Sequence, residues 1–223
     1  HYGSRIVFRG DGTLFVTLGD RQLLDPAQDE TETLGKVVRL EPDGSIPSDN
    51  PQPAGWAPEI WSMGHRNPQG AALRPGTDEL WLVEHGPQGG DELNRVQAGA
   101  NYGWPVVSYG CPYGSPVGDA CRIGGGTHAP TYVEPVSYWV PTSTAPAGMI
   151  FYDGTRFPAW NGSVLFGALA GRTLWRVALT GNDEAAREEL FSSLGERIRD
   201  VHQGLDGWIY FVTDSGGFYR IAY

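Results

Sequence analysis

The stretch RIVFRGDGTLFVTLGD, residues 5–20, contains two short β-rich runs that are separated by Asp11-Gly12. An Asp-Gly pair between two hydrophobic runs is the strongest short-range signal for a β-hairpin, so we predict an antiparallel pair of strands here. The pattern returns at residues 70–84 and 198–214, and more weakly at residues 148–168. A repeat with a spacing of roughly 50 to 75 residues is long for a solenoid and suits the blades of a β-propeller that carry insertions.

Each predicted hairpin is followed by a candidate third strand, at residues 35–41, 91–96, 173–179 and 218–223. The first three copies continue into a candidate fourth strand: EIWSM, EPVSYW and ELFSS. The fourth copy does not, so the sequence predicts about four blades of four strands, with the last blade lacking its outer strand. The run NDEAAREEL, residues 182–190, could form one turn of helix or a loop. Because residue 1 leads directly into an inner strand, we expect an N-terminal part of the propeller to be missing.

Composition limits the class of protein. The 223 residues include 32 Gly and 17 Pro, and 12% are aromatic, which suits many short strands joined by tight turns in one all-β domain over residues 1–223. A net charge of -10 argues against nucleic acid as a partner, since phosphate binding needs clustered Lys and Arg. No apolar run approaches the ~18 residues of a membrane span.

Two cysteines, Cys111 and Cys121, flank the loop CPYGSPVGDAC. The loop is rich in Gly and Pro and has no second Cys pair, so a disulfide is expected rather than a metal site. A disulfide would place the protein in an oxidising compartment, the periplasm or the exterior.

The stretch from His65 to Trp104 concentrates the groups that a chemical site needs. Arg66 and Asn67 precede Pro68, which disfavours helical backbone before it, so they are expected on a loop. The strand core LWLV runs into the turn EHGPQGG, where the carbonyls of Gly86 and Pro87 could face a hard cation. Polar loop residues at the end of a half-buried sheet are the alternative interpretation.

Several motifs carry a resemblance to a known family. In order they are HYGSRIVF, TLGDR followed by AQD, GKVVRLEPDGSIPSDNP, EIWSMGHRNPQG, EHGPQGGDELN, NYGWP, and RIRDV with DGWIYFVTD. With these motifs the chain resembles the soluble aldose sugar dehydrogenases that use pyrroloquinoline quinone (PQQ), which are related to soluble quinoprotein glucose dehydrogenase. The resemblance runs from His1 to Tyr223. It implies a six-bladed β-propeller, of which this chain supplies about four blades, with PQQ and Ca²⁺ as cofactors.

The resemblance also implies roles for individual residues. His1 matches the general base, Asp20 the active-site acid and Gln28 the amide on the following loop. The residues expected near the quinone are Arg66, Asn67, Arg197, Arg199 and the hydroxyl of Ser143 or Thr144. Gly86 and Pro87 match the backbone carbonyls that hold the cofactor's calcium, whereas Glu92 and Tyr102 resemble carbonyl ligands of a second, structural calcium. One position departs from the family, because a lysine is expected after SVLFGAL and this chain offers Arg172.

The expected reaction is oxidation of the C1 hydroxyl of an aldose to a lactone. A histidine suits the role of base because the unperturbed pKa of its imidazole is about 6.5. Arg197 and Arg199 are separated by one residue of a predicted strand, so both side chains point to the same side and could clamp carboxylates. They could instead form a solvated strand face that pairs with Glu196 and Asp200. An aldose and an external electron acceptor are the expected partners.

Two other functions fit the same residues. The absent lysine favours a non-catalytic propeller that binds glycans or a protein partner through its loop-rich face. A histidine at position 1 could chelate copper with its amine and imidazole, although no second His stands at a convincing spacing.

Overall fold

The computed structural model of the protein describes residues 1–222, which form sixteen strands and four short 3-10 helices. In this part of the chain there is no α-helix, so the prediction of an all-β fold is confirmed. In chain order the strands are β1 (Ile6–Phe8), β2 (Leu14–Leu18), β3 (Lys36–Leu40), β4 (Ile60–Met63), β5 (Pro68–Leu73), β6 (Leu80–Glu84), β7 (Asp91–Arg95), β8 (Ala100–Asn101), β9 (Ser137–Trp139), β10 (Pro146–Phe151), β11 (Val164–Ala168), β12 (Leu174–Thr180), β13 (Asp183–Leu190), β14 (Ile198–Gln203), β15 (Ile209–Thr213) and β16 (Phe218–Ile221). The 3-10 helices are Asp25–Ala27, Asp119–Cys121, Pro158–Trp160 and Ser192–Leu194.

The strands form four sheets. Sheet 1 has the order β1-β2-β3-β4-β8, sheet 2 β5-β6-β7-β9, sheet 3 β10-β11-β12-β13 and sheet 4 β14-β15-β16. Neighbours are antiparallel, apart from the two-residue strand β8, which runs parallel to β4. All four predicted hairpins are present. The first of them pairs Phe8 with Leu14 across the Asp11-Gly12 turn, as predicted from the sequence.

The outer strand of sheet 3 corrects the sequence prediction. Residues 182–190 do not form a helical turn or a loop, and the outer strand is not ELFSS. Instead β13 pairs with β12 from Thr180↔Asp183 to Leu174↔Leu190. Gly181 makes the connecting turn possible because it has φ 63°, a conformation that side chains disfavour. The many charged residues of β13 suit an edge strand, which faces solvent and is protected by charge against further pairing.

Successive sheets pack face to face through three apolar clusters. The innermost strands contact one another in the order β1, β5, β10 and β14. Each cluster joins two neighbouring sheets, and together the three clusters contain these buried residues: Phe15, Val37, Leu80, Leu82 and Val96 between sheets 1 and 2; Trp81, Val83, Leu93, Trp139, Met149, Phe151, Val164, Phe166 and Val177 between sheets 2 and 3; and Tyr152, Leu165, Leu174, Ile198, Val201, Ile209, Phe211 and Ile221 between sheets 3 and 4. This arrangement is that of propeller blades.

Aromatic pairs define the second of these contacts. The Trp81 and Phe151 rings lie edge to face at 5.6 Å, and those of Trp139 and Phe166 at 5.2 Å. Trp81 and Trp139 therefore pack between neighbouring sheets.

The clusters generate a stability prediction. Leu165→Ala removes a fully buried side chain between sheets 3 and 4 and should lower the free energy of unfolding by about 2–5 kcal/mol, because the cavity left behind is only partly refilled. Leu205→Ala, at a fully exposed turn position, is the matched control and should change stability by less than about 0.5 kcal/mol. Denaturant unfolding of both variants measures the difference. Equal losses would contradict the packing described.

Candidate active site

His1 and Asp20 form a hydrogen-bonded pair at the end of sheet 1. The Nδ1 of His1 donates to Oδ1 of Asp20, whose side chain is fully buried directly after β2. The other carboxylate oxygen accepts Nε1 of Trp104 at 2.7 Å, and Oδ1 also accepts the backbone N–H of Gln22 at 2.8 Å. With Nδ1 donating, the lone pair of the imidazole lies on Nε2. This arrangement gives a base whose ring is oriented by a carboxylate.

The chain needs close backbone contacts to bring this pair together. A Cβ on Gly19 would lie 2.4 Å from the carbonyl oxygen of His1, so only glycine allows the approach. Arg21 Nη1 donates to the same carbonyl at 2.6 Å. The backbone N–H of Asp20 donates to the Arg66 carbonyl at 2.9 Å, and this bond joins the loop after β2 to the loop after β4.

Arg66 lies beside the histidine pair and is almost fully buried. Its Nη1 donates to the carbonyls of His85 at 3.0 Å and Gly86 at 2.5 Å. Its guanidinium carbon lies 5.0 Å from the Trp104 ring and 5.8 Å from the Tyr113 ring. Its Nε is buried and has no hydrogen-bond partner among residues 1–222. Arg66 therefore keeps an unused donor inside the site, which is costly unless a bound group accepts it.

A buried polar network under Arg66 fixes its backbone. Oε2 of Glu84 accepts the N–H of Arg66 at 2.6 Å, and Oε1 accepts Nδ1 of His65 at 2.9 Å and Nδ2 of Asn94 at 3.0 Å. Burial raises the pKa of Glu84, but the neighbouring His65 and these hydrogen bonds outweigh burial and hold the pKa below its usual value. Glu84 is thus kept ionised and rigid, and it anchors the loop that carries Arg66 and Asn67.

Asp91 ties the Gly86–Pro87 turn to the loop before β10. This fully buried carboxylate accepts the backbone N–H groups of Gly86 at 2.9 Å, Thr144 at 2.6 Å and Ala145 at 2.8 Å, and the hydroxyl of Ser143 at 2.7 Å. Thr144 is also buried, and its hydroxyl accepts Nε1 of Trp175 at 2.8 Å. Asp91 therefore holds Ser143 and Thr144 against the turn, a role that the sequence did not indicate.

His85 contributes to the same junction. Its Nε2 donates to the Pro146 carbonyl at 2.7 Å, and its Nδ1 lies 3.5 Å from Nδ2 of Asn67. Burial lowers the pKa of His85, although the Asp91 charge and the bond to Pro146 oppose this effect. The amide oxygen of Asn67 accepts the N–H of Gly3 at 3.0 Å, so Asn67 joins the segment after His1 to the loop of Arg66.

Two open cavities meet over these residues. One, of about 430 Å³, is lined by His1, Gln22, Leu24, Arg66, Pro87, Trp104, Pro112, Tyr113 and Ile123. The other, of about 350 Å³, is lined by His85, Gly86, Pro87, Gln88, Gly89, Tyr113, Val117, Pro141, Thr142, Ser143 and Ala145. Pro87 and Tyr113 belong to both, so the two cavities adjoin. Together they are of the size that binds a small organic molecule.

Gln28 lies outside both linings. Its amide exchanges hydrogen bonds with the Asn101 amide, at 3.0 and 2.8 Å, and donates to the Trp104 carbonyl at 2.7 Å. Gln28 therefore fixes the segment that carries Trp104.

Arg172, Arg197 and Arg199 also lie outside the linings of the two cavities. Arg197 and Arg199 both donate to Asp214 at 2.7 Å. They do not alternate along one regular strand as predicted, because Arg197 precedes β14 and the pairing register shifts between Ile198 and Asp200. Hydrogen bonds from Arg199 and Arg197 lower the pKa of Asp214 to about 2. Arg172 is exposed, and its Nη1 donates to the Gly195 carbonyl at 3.2 Å.

Arg197 is nevertheless connected to the cavities through the backbone. Its Nη1 donates to the Leu169 carbonyl at 3.3 Å, and the N–H of Leu169 donates to the carbonyl of Ala145, which lines the cavity beside Pro87. A short chain of hydrogen bonds therefore joins the loop of Arg197 to the edge of the site.

Glu92 and Tyr102 line a third cavity of about 10 Å³, which is large enough for one water-sized body. It shares Arg66 and Trp104 with the first cavity, and His85 and Gly86 with the second. Burial, and then the negative charge of Glu84, raises the pKa of Glu92 well above its usual value. Burial also raises the pKa of Tyr102, whose hydroxyl donates to the Arg95 carbonyl at 2.5 Å. Within the described residues there is no group of three or more His, Cys, Asp or Glu that could hold a metal ion.

Besides Asp91, the sequence did not identify two further residues of the site. Trp104 holds Asp20 and faces Arg66, and the signal for it was its place in NYGWP, next to the other motifs. Tyr113 lies in the loop closed by the disulfide of Cys111 and Cys121, a bond that confirms the predicted pairing. No local pattern marked Tyr113, because its position depends on how that loop folds over the site.

Lys36 fixes the loop that leads from Asp20 to β3. Its fully buried ammonium donates to the carbonyls of Pro26 and Leu34. Burial lowers the pKa of Lys36 to about 8, although Asp29 and Glu32 oppose the shift.

The low pKa of Lys36 generates a prediction on stability and pH. Between pH about 8 and 10.5 the unfolded chain keeps a proton on Lys36 that the folded chain has released, so stability should rise with pH in this window. The free energy of unfolding of the wild type, minus that of Lys36→Met, should therefore increase by up to about 3 kcal/mol across the window. Urea unfolding at several pH values measures it. A constant difference would show that the ammonium is not buried as described.

The chain is similar to several known proteins. A family model described as Glucose / Sorbosone dehydrogenase matches residues 1–220. Aldose sugar dehydrogenase YliI of Escherichia coli is 43% identical over 228 residues, which cover 100% of this chain and 60% of that protein. Quinoprotein glucose dehydrogenase B of Acinetobacter calcoaceticus is 29% identical over 288 residues, which cover 97% of this chain and 59% of that protein.

A solved structure extends the comparison. The PQQ-bound aldose sugar dehydrogenase from Streptomyces coelicolor superposes with a TM-score of 0.73 at 32% identity, over 96% of this chain and 56% of that one. The chain thus spans about 60% of the length of the curated relatives named above. No helix in residues 1–222 is long and apolar enough to cross a membrane.

Proposed function

Because this chain belongs to the glucose and sorbosone dehydrogenase family, we propose that it forms the larger part of a PQQ-dependent aldose sugar dehydrogenase. The proposed reaction oxidises the C1 hydroxyl of an aldose to a lactone, and an external electron acceptor completes each turnover by taking up the two electrons. The observation that carries the proposal is the His1–Asp20 pair, which opens onto a cavity lined by Arg66 and Pro87.

The residues present fit the proposed cofactor. The buried Nε of Arg66 has no hydrogen-bond partner among residues 1–222, which supports binding of an acidic group there, and the adjoining cavities have room for a flat, drug-sized molecule. The Gly86 carbonyl already accepts a hydrogen bond from Arg66, but a carbonyl oxygen has two lone pairs and can still face a cation. When bound, PQQ supplies the hydride acceptor and Ca²⁺ the Lewis acid for it. Gly86 and Pro87 would hold that calcium, and Ser143 and Thr144 lie on the loop beside them.

His1 is the proposed general base. The sugar loses the proton of its C1 hydroxyl to Nε2 of His1 as the hydrogen on C1 leaves with its electron pair, and a C=O bond forms. Asp20 stabilises the imidazolium that results, because its carboxylate faces Nδ1. Trp104 and the N–H of Gln22 keep Asp20 in place by hydrogen bonds. Nδ1 therefore needs no rearrangement when the ring gains its second proton.

Arg66 is the proposed electrostatic stabiliser. Its charge lies in a largely buried setting between Trp104 and Tyr113, where water screens it little. Hydrogen bonds to two carbonyls hold the guanidinium in place before reaction, so it can stabilise negative charge that develops in the cavity without reorganisation.

Asn67 and Gln28 act in this proposal as positioning residues, because both amides bind protein groups around the cavity. Arg197 and Arg199 are proposed to bind the cofactor's carboxylates. To do so they would give up some or all of their hydrogen bonds to Asp214. Arg172 is the cation proposed in place of the family's lysine. Glu92 and Tyr102 are proposed to border a second calcium, which the small cavity between them could admit.

Two wider expectations belong to the proposal. The disulfide between Cys111 and Cys121 supports a location in the periplasm or outside the cell. The four sheets packed in succession support a propeller, whose count of six blades stays a prediction.

The base assignment predicts a loss of turnover. In the complete protein loaded with PQQ and Ca²⁺, His1→Ala should lower kcat for an aldose by at least ~100-fold, since general-base catalysis contributes 10²- to 10⁴-fold. Quinone affinity should change little. His202→Ala is the matched control, because this histidine is exposed on β14, away from the cavities, and should keep the wild-type kcat. Near-full turnover in His1→Ala would refute the assignment.

The two arginine positions should behave differently. Arg66→Ala should lower kcat/KM by the equivalent of ~3–4 kcal/mol, the effect of losing one oxyanion donor. Arg197→Ala should weaken quinone binding and leave the rate at saturating quinone nearly unchanged, because its role is in affinity. Steady-state kinetics with a quinone titration separates the two effects. If both variants showed the same changes in kcat/KM and quinone affinity, Arg66 and Arg197 could not be assigned different roles.

A further inference from the structure

Tyr113 is an exposed aromatic residue at a buried reactive site. Its side chain is 72% exposed, yet it lines both cavities, the one with His1 and the one with Gly86 and Ser143. Its hydroxyl accepts Nη2 of Arg66 at 3.3 Å. The guanidinium of Arg66 therefore lies near two rings, the buried ring of Trp104 and the exposed ring of Tyr113.

The loop that carries Tyr113 is held in place by several contacts. The disulfide closes it between Cys111 and Cys121, and backbone bonds of 3.0 Å in both directions join Cys111 to Gln88. The Gln88 side chain also binds the loop, since its Nε2 donates to the Ser115 carbonyl at 2.7 Å and its Oε1 accepts the N–H of Gly114 at 3.0 Å. These bonds fix Tyr113 to the turn that carries Gly86 and Pro87.

The exposed ring has no packing role that would explain this construction. Tyr113 belongs to none of the three apolar clusters between the sheets. A fixed, exposed aromatic ring with one polar tip offers an apolar face to a ligand and a hydrogen bond at its edge. A pyranose has the complementary surface, with C–H groups on its faces and hydroxyls around its rim.

We propose that Tyr113 is a substrate-positioning residue, whose ring packs against the face of the aldose while the sugar C1 points toward His1. This proposal rests on the proposed function and assigns the sugar side of the site to the disulfide-closed loop. The exposed position of the ring supports contact with the substrate, which enters the cavity from solvent. The hydrogen bond between the Tyr113 hydroxyl and Arg66 fixes the orientation of the ring.

The test uses the complete protein loaded with PQQ and Ca²⁺ and the variants Tyr113→Ala and Tyr113→Phe. Tyr113→Ala should raise KM for an aldose about tenfold with kcat changed less than about threefold, as expected for one lost aromatic contact. Tyr113→Phe should recover most of the wild-type KM, because the ring supplies the contact. Leu205→Ala, exposed on another sheet, should match the wild type.

A second measurement separates this proposal from the function on which it rests. Binding of 1,5-anhydro-D-glucitol, which has no C1 hydroxyl to oxidise, should weaken about tenfold in Tyr113→Ala, while quinone affinity stays the same. Unchanged sugar binding in Tyr113→Ala, or a loss of quinone affinity in its place, would overturn the proposal. Absence of aldose turnover in the wild type would instead refute the proposed function, and analogue binding would still decide the role of Tyr113.

Discussion

The site depends on the side chain of Asp20, which is fully buried and is held in place by hydrogen bonds. The carboxylate accepts hydrogen bonds from the His1 ring, the Trp104 ring and the backbone N–H of Gln22. It thereby joins the segment of His1, its own loop and the segment of Trp104. The backbone N–H of Asp20 donates to the carbonyl of Arg66, which adds a fourth part of the chain. Loss of this carboxylate would leave the imidazole of His1 without its orienting partner and Trp104 without an acceptor.

The packing between sheets brings these groups to one place. Asp20 follows β2, Arg66 lies between β4 and β5, and Glu84 ends β6, so their side chains come from the loop ends of two neighbouring sheets. Asp91 then connects the second sheet to the third, through the loop that precedes β10. The apolar clusters fix the sheets relative to one another, and buried carboxylates fix the loops on the sheets. The result is a rigid cavity wall, which favours catalysis by oriented charges.

Most of the fold was predictable from the sequence, because the Asp11-Gly12 hairpin and its repeats are local signals. The β13 prediction was wrong since helix-favouring residues such as Glu and Ala were overridden by pairing with β12, a tertiary contact that no local pattern encodes. The same limit applies to the site: motifs identified His1, Asp20 and Arg66, whose proximity the structure shows. Tyr113 and Asp91 could not be assigned, because their roles come from how distant loops meet.

In the proposed function, the cavity beside His1 and Arg66 oxidises an aldose with a bound quinone. The most direct measurement is the absorbance spectrum of the complete protein after addition of PQQ and Ca²⁺, followed by an aldose without any electron acceptor. We expect the spectrum of bound quinone to convert to that of its reduced form with one equivalent of sugar per site. Bound quinone whose spectrum does not change when aldoses are added would contradict the account and favour a protein that binds ligands without oxidising them.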